Sequence, residues 1–123
     1  GAPVTLVPLD ATNDAPLTME FYRRLERDRT TSIAEFVYRV LAAQEENVRS
    51  GWYYFWDPLA AAIATEEGLG TFQEIPLMVV EEEGAESGRT LESERGTIMR
   101  MALEADRERF EALFLDAVNG RLP

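Results

Sequence analysis

The sequence predicts an α/β domain, or α+β if its first strand stands apart from the later ones, and three observations predict it. Val4 to Leu9 is a short, nearly continuous apolar run of the kind found buried in a parallel sheet. Residues 33–48 repeat apolar side chains at the i, i+3, i+4, i+7 spacing of an amphipathic helix. From Phe72 to Val80 the composition changes to β-formers, and a second such run follows an acidic, glycine-containing loop. The expected order is strand, three helices, β-hairpin, strand and terminal helix, in one domain over residues 1–123.

In the first strand, Pro8 restricts pairing on one side, because proline has no N–H to give to a ladder. A buried parallel strand needs neighbours and a crossover, and nothing precedes this one, so its partners are expected from elsewhere. Thr12 to Pro16 is a turn by composition, with Asn13 and Asp14 as polar candidates at the strand's end. Thr18 caps a helix over about Met19 to Arg29 with Phe21, Tyr22 and Leu25 inward. Thr31 or Ser32 starts the next, which runs to about Arg49. There Ile33, Phe36, Val37, Val40, Leu41, Gln44 and Val48 form the face expected to be core. Glu35, Arg39, Glu45 and Arg49 form the solvated one.

Ser50-Gly51 ends that helix, and five aromatics in a row, Trp52 to Trp56, lead to Asp57-Pro58 and an alanine-rich helix over about Pro58 to Glu67. Gly68 and Gly70 stop it. The hairpin pairs Phe72 to Val80 with Arg89 to Glu94 around the loop Glu81 to Gly88. Its three consecutive glutamates read as a solvated edge, since neighbouring strand residues point to alternate faces and do not converge on one ion. Thr97 to Leu103 is a further strand, and Asp106 caps a terminal helix with Phe110, Leu113, Phe114 and Val118 inward, ended by Asn119-Gly120.

Composition removes several function classes. With 12 basic and 23 acidic residues the net charge is −11, which repels nucleic-acid backbone and anionic membrane. No cysteine means no disulfide, thiolate metal site or cysteine nucleophile. No histidine means no catalytic triad and none of the commonest general acid–base chemistry near neutral pH. No stretch of about 18 apolar residues is present to span a bilayer, and the N-terminus lacks signal-peptide regions, so a cytoplasmic chain is expected.

The segment around Asp57 holds the best site candidates. An acid before proline at a helix start is ordinary N-cap chemistry, and consecutive aromatics are ordinary core. Beside that plain reading stands another: Trp56 and Asp57, a large ring and an acid at a helix mouth, together hold a polar ligand with a flat face.

Three blocks also carry a resemblance: Val4 to Asn13, Tyr53 to Ala62, and Met101 to Phe110. In this order they are similar to the C-terminal portion of the inosine-uridine type nucleoside N-ribohydrolases. The family's aspartate-rich N-terminal motif and the middle segment that contacts ribose have no match here. The resemblance implies a calcium-dependent hydrolase of nucleosides, in which Asp57 is one metal ligand. It implies a purine-preferring branch, because Trp56 stands where other members place a histidine. Stacking on a base contributes roughly 1–3 kcal/mol. Tyr53 and Asn13 are the further substrate-binding candidates, with at most one of Tyr53 and Tyr54 expected to face the ligand.

No complete catalytic set is expected in this chain. Calcium takes about six to eight oxygens, and Asp57 offers one or two, so the isolated chain is expected to be inactive and to hold the ion weakly. Its expected partners are a nucleoside and either the missing N-terminal segment or another copy of itself. The alternative is a non-catalytic interaction or oligomerisation domain derived from the same fold.

Overall fold

The structure, a computed structural model, describes residues 3–122; Gly1, Ala2 and Pro123 lie outside the described residues. Four strands form one mixed sheet in the order β1-β4-β2-β3: β1 (Thr5–Leu6), β2 (Gly70–Val79), β3 (Thr90–Glu92) and β4 (Thr97–Ala105). β1 lies parallel to β4, with Thr5 opposite Arg100 and Leu6 opposite Met101. β2 runs antiparallel to both β4 and β3. The first strand therefore joins the later ones, and the fold is α/β.

Two expectations about that strand are corrected. Its partner on one edge is β4 of this same chain rather than a strand from elsewhere. It is also shorter than Val4 to Leu9: Pro8 removes a ladder donor, and the chain turns at once into a single helical turn, α1 (Leu9–Thr12). Val4 and Leu9 are exposed, so the run is not buried on both faces.

The predicted helices appear as α2 (Met19–Asp28), α3 (Ser32–Ala42), α4 (Glu45–Ser50), α5 (Trp56–Thr65) and α6 (Arg107–Val118). Three begin on predicted caps: the side chains of Thr18, Thr31 and Asp106 accept from the N–H groups of Phe21, Ala34 and Arg109 at 3.2, 3.0 and 3.0 Å. The helix expected to reach Arg49 breaks at Gln44. Its last turn tightens, with the Gln44 N–H donating to Leu41 O at 2.9 Å, and α4 restarts so that Val48 is buried. Gly51 closes α4 at φ 77°, a left-handed conformation that suits glycine.

The core lies between α2, α5, α6 and the segment before α5. Phe55 is its centre, with ring centroids 4.9 Å from Phe21, 5.1 Å from Phe110 and 5.4 Å from Phe114. Such pairs contribute about 0.5–1.5 kcal/mol each beyond the area they bury. A backbone bridge pins the same segment: the Leu17 N–H donates to Tyr53 O at 2.8 Å and the Phe55 N–H to Ala15 O at 3.0 Å. One member of the aromatic run is thus locked inside while its neighbours stay near the surface.

Candidate functional site

α5 starts two residues earlier than its Asp-Pro pair suggests. Phe55 holds the N-cap position with no side-chain hydrogen bond, so Trp56, Asp57 and Pro58 form the first helical turn. Pro58 is tolerated there because the first N–H groups of a helix have no intrahelical partner to lose. The N-cap role expected of Asp57 is therefore corrected. The anchoring of Phe55 turns the chain into helix before the acid is reached. Asp57 is exposed at the positive end of the α5 dipole.

Trp56 and the two tyrosines make an aromatic corner. The Trp56 ring lies edge-on to Tyr53 at 5.4 Å and tilted to Tyr54 at 6.0 Å, and it remains 38% exposed. The corner opens on a groove of about 400 Å³ between α3 and the start of α5, walled by Phe36, Val37, Val40, Tyr53, Tyr54 and Trp56, with Asp57 and Pro58 at the α5 end. Both tyrosines line it, although strand alternation would separate them. The turn into helix at Phe55 breaks that alternation.

Asn13 does not line this groove. It is the exposed C-cap of α1, and its neighbour Asp14 accepts the Ala105 N–H at 3.0 Å, tying α1 to the end of β4.

The α3 wall was missed by pattern reading. Ile33, Phe36 and Val40 were expected in the core, yet they are 61%, 67% and 48% exposed. Of that expected face Val37 and Leu41 do pack inward, and Ala34 and Tyr38 join them in the core stripe of α3. The apolar surface of the helix is wider than its core face, and ranking by side-chain size takes in the exposed Ile33, Phe36 and Val40 while passing over Ala34. A small residue, Ala34, recurring toward Leu41 is the signal that could have found it.

Polar chemistry near the groove is sparse. Asp57 is its one lining carboxylate, and among the described residues no three His, Cys, Asp or Glu side chains stand together as a metal cluster. Calcium needs about six to eight oxygens, so this chain's donor set does not fit a calcium ion by itself. Elsewhere on α3, hydrogen bonds from Arg39 and Arg29 hold the Glu35 carboxyl below its ordinary value. Tyr38, bonded to Tyr22 and Glu26, is pushed well above the usual phenol range. Among the described residues no helix is long and apolar enough to cross a membrane.

Over the length it covers, the chain has the nucleoside hydrolase fold, and its partial coverage fits a C-terminal portion of such an enzyme. The inosine-uridine preferring nucleoside hydrolase from Bacillus anthracis matches with a TM-score of 0.81 and 24% identity, over 99% of this chain and 38% of that one. The purine-preferring ribonucleoside hydrolase from Gardnerella vaginalis matches with a TM-score of 0.72 and 27% identity, over 98% of this chain and 40% of that one. A plant nucleoside hydrolase matches with a TM-score of 0.84 and 19% identity, over 97% of this chain and 42% of that one.

In sequence, nucleoside hydrolase 3 of Arabidopsis thaliana is 36% identical over 73 residues, 52% of this chain and 8% of that protein. The chain thus spans well under half of the solved structures and less than a tenth of the curated relative. No protein-family model matches it.

Proposed function

We propose that this chain supplies the base-binding wall of a nucleoside hydrolase that cleaves the N-glycosidic bond of purine ribonucleosides. The observation that carries the reading is the corner of Trp56, Tyr53 and Tyr54 opening on the groove with Asp57 at its rim. Cleavage of a ribosyl C–N bond passes through an oxocarbenium-like state, which requires a held sugar, an activated water and a leaving base. The residues here serve the base. The Trp56 indole offers a flat apolar face, and α3 supplies an apolar wall through Phe36 and Val40.

The Trp56 indole N–H is too weak an acid to protonate the base and the chain has no histidine, so Trp56 binds and orients rather than transfers a proton. Asp57 would contribute one carboxylate to a calcium site, with the other oxygens coming from residues that this chain does not contain.

In the intact protein, Trp56→Ala is expected to lower kcat/KM for purine nucleosides by about tenfold to a hundredfold, the loss of one base stack. Unchanged turnover ends the reading. The isolated chain is expected to release no ribose with or without calcium, and to gain calcium-dependent release on mixing with the segment it lacks. A second reading, a non-catalytic interaction module, draws on the exposure of Ile33, Phe36, Val40 and Trp52. It predicts stable self-association by light scattering and no complementation.

A further inference from the structure

From Ile75 to Val79 the ribbon of β2, β3 and β4 carries apolar side chains on both faces, with Thr90, Glu92 and Thr97 as polar neighbours on one of them. The register sets Pro76 opposite Ile98 and Met78 opposite Leu91 on one face, and Ile75 opposite Met99 on the other, which also carries Leu77 and Val79. None of these side chains belongs to the core or to the residues packed against it. Ile98 is 67% exposed, Val79 50% and Met78 39%. A sheet segment with apolar side chains on both faces and no core beneath it is a contact surface.

Its charge says what kind of surface fits it. Between residues 74 and 96 stand Glu74, the run Glu81 to Glu83, Glu86, Glu92 and Glu94, against Arg89 and Arg95 only. Arg89 is already paired with Glu86. Two copies of this ribbon brought together would set like charges along the shared border, which disfavours a symmetric pair.

We propose that the ribbon formed by residues 74–99 docks onto a second protein whose surface offers an apolar groove bordered by lysine and arginine side chains. The apolar side chains would supply the contact area, and the glutamates would set orientation and exclude acidic partners.

The test is a photo-cross-linking residue placed at Ile98 of the protein in the cells that make it, with the conjugates mapped by mass spectrometry. The expected product is one protein, joined through an apolar patch flanked by Lys or Arg. Its yield should fall about tenfold with Met78→Ser and, independently, with Glu92→Lys combined with Glu94→Lys, the usual scale for losing one significant interface contact. Circular dichroism of each variant checks that the fold is kept. Cross-links to another copy of this chain, to a different stretch of the same polypeptide, to a scatter of unrelated proteins, or to nothing would each overturn the proposal.

Discussion

Asn119 is a buried polar side chain with every group engaged. Its Oδ1 accepts the Thr30 N–H at 2.8 Å and the Thr30 hydroxyl at 2.9 Å, while its Nδ2 donates to Leu115 O at 2.9 Å. Thr31 adds a hydroxyl bond to Val118 O at 2.6 Å, so the end of α6 is latched to the α2–α3 connection. Asn119→Ala leaves the Thr30 N–H without its acceptor and is expected to cost about 1–3 kcal/mol in denaturant unfolding. An unchanged midpoint would remove the latch. Glu35 acts in a more open setting, half-exposed between Arg29 and Arg39 at 2.7 and 2.8 Å. Because its folded carboxyl sits below the ordinary value, the stabilisation is present above the unfolded pKa and is lost as pH falls through the folded one. The stability gap between wild type and Glu35→Gln is therefore expected to close on acidification, with urea midpoints measured from neutral pH into the acid carboxylate range. A constant gap would contradict this.

Elements differ in how far local sequence decides them. The hairpin was legible because β-formers flank a loop of Glu, Gly and Ser, and β2 and β3 pair as Val79 with Thr90 and Leu77 with Glu92. The caps of α2, α3 and α6 were legible because capping is a local side-chain-to-backbone bond. The start of α5 was not, since the burial of Phe55 among three other phenylalanines outweighs the Asp-Pro signal. Nor was the facing of α3, where tertiary packing settles which part of a wide apolar surface turns inward. The candidate site divides in the same way: Trp56, Tyr53 and Asp57 stand out in sequence, while Phe36 and Val40 reach the groove only through that facing. The turn from β3 into β4 rests on one residue. Gly96 donates its N–H to Ser93 O at 2.8 Å and lies so close to the Leu77 backbone that a Cβ would overlap it. Gly96→Ala must push β2 and β4 apart at that point and is expected to destabilise by about 1–3 kcal/mol in thermal unfolding. A variant as stable as wild type would show that the turn relaxes freely.

Across the whole molecule, packing is graded from the helical body to the ribbon tip, and the ties between them sit at the ribbon's base. Arg100 lies over the Phe72 ring at 3.9 Å and bonds Glu67 through both guanidinium NH groups at 3.0 and 3.2 Å. Arg109 reaches Gly68 O at 3.1 Å and Glu66 at 2.6 Å. Ala102 at the base is fully buried, whereas Val79 and Ile98 further out are at least half exposed. Backbone hydrogen bonds that few buried contacts protect open locally, and those in the core open only when the whole chain unfolds. Amides of Met78, Val79 and Leu91 are accordingly expected to exchange at least about a hundredfold faster than those of Ala102 and Phe110 to Leu115. Denaturant should accelerate only the slow set, because only global unfolding exposes new surface. The groove-bearing elements α3 and α5 pack on the body expected to exchange slowly, so the groove wall is expected to be held more firmly than the ribbon tip. Native-state hydrogen exchange across a denaturant series measures both sets at once. Equal protection at tip and base would mean that the ribbon already forms part of one cooperative unit, with no loosely held end to adapt to a partner.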